Sequence, residues 1–437
     1  MRRPWLSARE TEMSRDLAPS SNPVSRSSLF RKVEKAFVVL ALLFYADAGL
    51  NLLTGDTRIP AGDQKRLELQ LALYALAAIF ILPCWKQMLR AATKLKLVLG
   101  ILPLAFISIL WSDSPRYTCT HALWLCATTA FALYFGVRFR RREQVSLVVL
   151  ALAIAGVASI ALGIFAPQYS VDHTFHQGQW RGVFSTKNSL GKAMSMEWAG
   201  ALLIFSTNRT LGMVSGILAA LLIAASGSRT ALAVCLFLLL CFALFHAISR
   251  PAKTIAPLLL AAAIPVLLVV AWASSNAGSI LAAAGRDSTL SGRTSLWTFV
   301  SIAISRRPWT GYGFDAFWLD SSGDDLYVIQ NIGWNPPHAH NGFLDVTLAF
   351  GLVGIAFFAC GFLQTACRAF VDLRNLTSPC SGWPLLFLAF LVVSNLTESS
   401  LLQINSIYWF LYVAIAASMA IERYAMPGAF AMKEAWS

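Results

Sequence analysis

Along most of this chain, apolar residues run in blocks of roughly 20, the length an α-helix needs to cross a hydrocarbon layer about 30 Å thick. Short polar connectors separate the blocks, which centre near Phe44, Ala75, Leu104, Leu125, Ala155, Ala201, Leu218, Leu239, Pro265, Val353, Ala389 and Val413. The pattern predicts an all-α integral membrane protein, a polytopic bundle of about 12 transmembrane helices. One connector breaks the rhythm. Residues 274–342 form a stretch too long for a plain loop, which predicts structure of its own. Inside it Leu296, Trp297, Val300 and Ile304 recur at helical spacing, and Arg306-Arg307-Pro308 ends the run. Such a helix either lies at the membrane interface, anchored by Trp297 and Trp309, or packs on its own domain.

The resulting organisation is a Ser-, Arg- and Pro-rich tail at 1–32, nine spans within 33–273, the long connector at 274–342, three spans within 343–424 and a short tail at 425–437. No internal repeat relates the halves, which counts against a transporter built from two related bundles. A cleavable signal ending at Ala46-Asp47-Ala48 would need an n-region far longer than such signals carry.

Composition agrees with the pattern. Hydrophobic residues make up 57% of the 437, charged residues 13%, and the mean hydropathy is +0.61, which excludes an ordinary soluble domain. The net charge of +13 raises the question of nucleic acid. The basic residues fall mainly in short connectors, however, where they read as topology signals, so no nucleic-acid partner is expected. With the N-terminus in the cytoplasm, Lys86, Arg90, Lys94 and Lys96, then Arg138 and Arg140 to Arg142, then Arg209, Arg250 and Lys253, then Arg368 and Arg374 all fall on the inner side. Both termini are then cytoplasmic. The outer side receives WSDSPRYT (111–118), RGVFSTKNSLG (181–191), SGSRT (226–230), the long connector and the turn near Glu398. The eight cysteines lie within or beside apolar runs and form neither a disulfide framework nor a zinc spacing.

The chemistry sits in those outer segments. In RGVFSTKNSLG, Arg181 and Lys187 are cationic donors, glycines permit close backbone approach, and Asn188 or Ser189 could cap the helix that follows. A helix N-terminus with cations beside it favours an anion, although a solvated loop would look the same by spacing. Arg229 at a second helix start, and Arg286 and Arg293 in the long connector, repeat the pattern of arginine beside Gly and Ser. Guanidinium groups bind phosphate in bidentate fashion, so several of them on one side suggest a pyrophosphate.

In PPHAHNGFLD (336–345), His338 and His340 flank one alanine. They could serve as a general base or phosphate contact, as metal ligands or as a helix cap. No Cys or Glu stands at ligand spacing along the chain, and the Ser/Gly turn with Asp315, Asp320, Asp324 and Asp325 matches no calcium loop, so no metal and no cofactor is expected. Among acids in or near apolar runs, Glu398 is the active-site candidate, with Glu197 and Asp47 behind it. A carboxylate paired with an outer arginine would serve structure equally well.

With RGVFSTKNSLG, SGSRT, SGRTSLWTFVSIAISRRPWTGYGFDAFW and PHAHNGFLDVTLAFGLVG in this order, the chain resembles the O-antigen ligase/polymerase superfamily of bacterial inner membranes. The RPWTGYG and HAHNGFLD forms are most similar to exopolysaccharide-production polymerases of the ExoQ type. The resemblance implies a GT-C-like, periplasm-facing glycosyltransferase that takes glycan from an undecaprenyl-pyrophosphate carrier without metal. It implies roles for Arg181 and Lys187 as the basic pair, Arg229 and Arg293 as loop arginines, and either His338 or His340 as the histidine before asparagine. Implied partners are the lipid-linked oligosaccharide, the bilayer, a chain-length regulator and a flippase. A ligase passing glycan to lipid A-core is the alternative of the same fold, and a polysaccharide transporter or flippase the alternative of another class.

Overall fold

The computed structural model describes residues 28–54, 60–172, 178–248, 293–319, 323–374 and 379–422, so the expected span near Pro265 and the expected phosphate ligand Arg286 lie outside the described residues. Among the described residues all regular structure is helical, apart from one isolated antiparallel bridge between Val171 and Trp180. The α-helices are α1 (Ser28–Tyr45), α2 (Leu50–Thr54), α3 (Pro60–Ile81), α4 (Trp85–Ala92), α5 (Lys96–Leu99), α6 (Ile101–Ile107), α7 (Pro115–Arg138), α8 (Arg141–Phe165) and α9 (Pro167–Ser170). They continue as α10 (Lys187–Ile204), α11 (Arg209–Ser226), α12 (Arg229–Ile248), α13 (Arg293–Arg306), α14 (Gly323–Ile332), α15 (Gly342–Arg374), α16 (Trp383–Asn395) and α17 (Ile407–Glu422).

Five described stretches are long and apolar enough to cross a membrane, namely Gln64–Ala92, Pro115–Arg138, Arg141–Phe165, Arg209–Ser226 and Gly342–Leu373. Four shorter apolar helices, Lys96–Leu110, Arg229–Phe245, Cys380–Asn395 and Ile407–Ile421, accompany them. This is a multi-pass helical membrane protein, with fewer full-length spans among the described residues than the sequence pattern led us to expect. The apolar block near Leu104 is a chain of short helical pieces, and Phe44 marks the end of a helix instead of its middle.

Helix α10 shows why hydropathy and position part company. Lys187, Lys192 and Glu197 dilute its apolar content, yet it lies in the centre of the bundle, packed on α8, α11, α12 and α16. Its Leu190, Met194, Ser195, Met196 and Glu197 are almost wholly buried. The polar residues therefore enter the interior on a helix that has no exposed position among the described residues.

Helix α15 is broken by design. Gly351 adopts φ 64°, ψ −158° inside it, and a Cβ there would stand 2.3 Å from the carbonyl carbon of Trp309. The break frees carbonyls that RPWTGYG then satisfies: Tyr312 N donates to Leu348 O at 2.8 Å and Gly313 N to Ala349 O at 3.0 Å, while Leu352 N donates to Pro308 O at 2.7 Å. WSDSPRYT braces the same segment. Trp111 Nε1 donates to Thr310 O at 2.9 Å, and Arg307 pairs with Asp113 at 2.7 Å. The loop helix α13 packs on the rest of the connector and on α15: Leu296, Val300 and Ala303 join Tyr312, Phe317 and Leu348 in a second apolar cluster. Trp297 is partly buried, with Nε1 donating to Ala339 O at 2.9 Å.

Candidate active site

Three chain segments that are remote in sequence meet at one cavity of about 830 Å³, whose wall includes Arg181, Lys187, Lys192, His338, His340 and Glu398. The first is RGVFSTKNSLG. Backbone N–H groups of Arg181 and Gly182 both donate to Ser170 O, and Val183 N donates to Ser159 Oγ at 3.2 Å, so the turn is tied to α8 and α9. The helix cap is Thr186, whose hydroxyl accepts from Ser189 N at 3.1 Å. This corrects the expectation for Asn188 and Ser189, and the reason is physical: with Thr186 capping, Asn188 is turned into the bundle, where its Nδ2 donates to Glu398 Oε1 at 3.1 Å.

The second segment is HAHNGFLD. Asn341 Oδ1 accepts from Phe343 N at 3.0 Å and Leu344 N at 3.3 Å, capping α15, so the cap role weighed for the histidines falls to their neighbour. Asp345, one turn into the helix, reaches back to accept from Ala339 N at 3.1 Å and Trp318 Nε1 at 2.9 Å, and from the Ser399 hydroxyl. That grip, with His340 at φ 50°, folds the segment so that the two imidazoles lie 4.3 Å apart, centroid to centroid.

The third is NLTESS (395–400). Asn395 Oδ1 accepts from Ser400 N at 2.8 Å, closing the turn that presents Glu398. Gly342 must be glycine for the second and third segments to touch, because a Cβ would stand 2.2 Å from Asn395 Oδ1.

Glu398 is the hub. Its Oε1 accepts from Arg293 Nη2 at 3.0 Å and from Asn188, and its Oε2 lies 3.8 Å from His340 Nδ1. Burial alone would raise this carboxyl's pKa, but His340, Arg293 and Lys192 outweigh burial and hold it at about 2, so it is ionised at neutral pH. His338 goes the other way. Burial, then His340, push its imidazole down to about 4, so it is neutral. Its Nδ1 accepts from His340 N at 3.1 Å, which places the ring proton on Nε2 and makes that nitrogen a donor.

The expected cations divide. Arg181 lines the cavity, with Nε donating to Tyr169 O at 3.1 Å, and Lys187 lines it while donating to Gln179 Oε1. Arg293 is committed to Glu398 and the Thr397 carbonyl. Arg229 is exposed at the start of α12 and stands off this cavity's wall. Glu197 is buried in α10, away from the same wall.

Two cavity cations were not anticipated. Lys192 donates to Ser400 Oγ and lies 4.3 Å from the centre of the Tyr408 ring. It stands four residues after Asn188, on the same helix face, so extending the motif by one residue would have found it. Arg66, paired with Asp47 at 3.3 Å, carried no signal in its polar stretch.

His338, His340 and Glu398 each offer a ligand atom within 4.8 Å of the others, a spacing that could hold a metal ion. The electrostatics oppose it, since Arg293 and Asn188 already take up Oε1 of the carboxylate and the charges of Arg293 and Lys192 beside it repel a cation.

Comparison with known proteins places these features. Residues 214–359 match the family model described as O-antigen ligase, a span that includes Arg229, Arg293 and both histidines but neither Arg181 nor Glu398. The chain is 28% identical over 304 residues to the exopolysaccharide production protein ExoQ of Rhizobium meliloti, covering 65% of this chain and 67% of that one. Over 71 residues it is 37% identical to a protein of Rickettsia prowazekii named "Putative polysaccharide ligase", covering 16% of this chain and 18% of that one. The resemblance drawn from the sequence motifs is thereby shown.

Proposed function

We propose that this protein joins glycans at a membrane surface, transferring a glycan from an undecaprenyl-pyrophosphate carrier to a sugar hydroxyl of a lipid-linked repeat unit. The observation that carries the reading is the composition of the cavity wall: Arg181, Lys187, Lys192 and Arg66 stand on it together with the His340–Glu398 pair. Cations there would take up the charge that the departing pyrophosphate gains when the bond from the anomeric carbon to the phosphate oxygen breaks. His340 would accept the proton of the attacking hydroxyl on Nε2, because its Nδ1 lies 3.8 Å from an ionised carboxylate whose charge would stabilise the imidazolium formed.

Glu398 is a weak base for the same step, since a carboxyl held at about 2 gives up its proton too readily to retain one at neutral pH. It lends negative charge beside His340 and neutralises Arg293. His338, with a proton on Nε2, would be a hydrogen-bond donor at the cavity wall. Phosphate charge is handled by side-chain cations, so the reaction as read needs neither metal nor cofactor.

A bundle of about 12 spans with both termini in the cytoplasm and this cavity on the periplasmic side of a bacterial inner membrane completes the reading. A flippase and a chain-length regulator are the partners such a polymerase would work beside. The likeness to proteins named as ligases supports a second reading, in which the acceptor is lipid A-core. Purified protein incubated with lipid-linked repeat units alone separates the two: products lengthened by whole repeats support the polymerase, and transfer only after lipid A-core is added supports the ligase. Passage of the labelled carrier across liposomes with no new glycosidic bond would overturn both.

A further inference from the structure

A second cavity, of about 500 Å³, opens beside the first. The two share Arg66, His338, Ser399, Ser400 and the stretch from Gln403 to Asn405, so His338 stands on the wall of both. Their chemistry differs. The first cavity carries Arg181, Lys187 and Lys192. The second carries none of these, and its Arg66 is already paired with Asp47. What it has instead is aromatic surface and uncharged or balanced polar groups.

Tyr117 stacks on His121 with centroids 3.8 Å apart, and His121 Nδ1 is held by Asp315 Oδ2 at 2.6 Å, which fixes both rings. Trp124 is fixed likewise by stacking on Tyr74 at 5.9 Å. Gln70 is 5% exposed and its Nε2 has no hydrogen-bond partner, a buried donor on this wall whose cost a ligand oxygen would relieve. Flat rings that match the C–H faces of a pyranose, beside amide and carboxylate groups that match its hydroxyls, make a sugar site of ordinary ligand-pocket size.

We propose that this second cavity is the acceptor site: it holds the uncharged end sugars of the acceptor glycan and delivers one hydroxyl past His338 into the phosphate cavity. The proposal rests on the glycosyl-transfer reading and adds to it where the second substrate lies. It also gives the shared position of His338 a purpose, since a neutral Nε2–H on the common wall can bridge the incoming hydroxyl and the leaving oxygen.

The test uses the full chain in lipid nanodiscs and two probes measured separately: oligosaccharide fragments freed of lipid and phosphate by partial acid hydrolysis of the polysaccharide of the cells that make this protein, and undecaprenyl pyrophosphate. The fragments are expected to bind the unaltered protein, and Trp124→Ala, Tyr117→Ala and Gln70→Leu should each weaken that binding tenfold or more while leaving the lipid pyrophosphate affinity within twofold. Arg181→Ala should do the reverse. Because Trp124 also packs on Tyr74, the milder Gln70→Leu guards against loss of fold. Fragment affinity unchanged in all three variants, or fragments that never bind, overturns the acceptor site. Loss of lipid pyrophosphate affinity in the same three variants also overturns it, by making the cavity a carrier site. Arg181→Ala without effect on the lipid probe would instead defeat the phosphate reading and leave the sugar site standing.

Discussion

His340 Nδ1 lies 3.8 Å from Glu398 Oε2, and the other oxygen of that carboxylate is held by Arg293 at 3.0 Å. At 3.8 Å the pair is an electrostatic contact with no hydrogen bond to Nδ1, so the carboxylate's part in the proposed reaction is to favour the imidazolium that forms when the ring takes a proton. His340→Ala should therefore lower the turnover rate by about 10² to 10⁴. Glu398→Gln should lower it less, because the base remains but loses the charge that favours its imidazolium, and the double variant should be no slower than His340→Ala alone. Additive losses in single-turnover assays would mean that the two residues act on separate steps.

Arg293 enters the same pair from the remote loop helix. On this geometry Arg293→Ala acts through Glu398, so it should reduce turnover while carrier affinity changes little. A drop in affinity for undecaprenyl pyrophosphate as large as that of Arg181→Ala would return Arg293 to direct phosphate contact. Titrating both variants with the lipid gives the answer.

The neutral His338 gives the protein a pH signature. Its imidazole sits at about 4 in the folded state against an ordinary 6.5. Between those values the unfolded chain takes up a proton that the folded protein refuses, so stability falls as pH drops through this window and levels off below it. The loss is on the order of 3 kcal/mol for one such group. Thermal unfolding midpoints measured from pH 7 to 4 should fall steeply for the unaltered protein and more gently for His338→Gln. Parallel curves would contradict the assignment.

Two structural positions can be tested without substrate. Gly342→Ala would drive a methyl group into Asn395 Oδ1, and Asp345→Asn would weaken the grip on Ala339 N, Trp318 and Ser399. Each should destabilise by about 1–3 kcal/mol, seen as a lower unfolding temperature in detergent. A midpoint unchanged in both variants would show that the join between HAHNGFLD and NLTESS is looser than these distances imply.

Much of this was legible in the residues. Apolar blocks gave a helical membrane bundle, and the motifs 181–191, 338–345 and 395–400 do meet at one cavity. What the sequence left hidden depends on helix rotation and on long-range pairing. Asn188 reads as a cap until Thr186 takes that role and turns it inward. Arg229 looks equivalent to Arg181, yet it faces away because the start of α12 presents Ser228 and Ala231 to the bundle. Lys192 looked like part of a span. Glu398 and His340, far apart along the chain, carry no mutual signal in one sequence, and neither do Arg66 and Asp47. Hydropathy also does not reveal where short pieces such as α5 and α6 stand in place of one long helix.

The central claim is that Arg181 and Lys187 grip the diphosphate of a lipid-borne sugar, and its most direct test is the affinity of undecaprenyl pyrophosphate for the unaltered protein and for Arg181→Ala with Lys187→Ala in lipid nanodiscs. A hydrogen bond to a charged group is worth about 1.5–3 kcal/mol, so the double variant, which loses two such donors, should bind at least about 10²-fold more weakly while keeping its unfolding temperature. Equal affinity in the folded double variant would contradict the account.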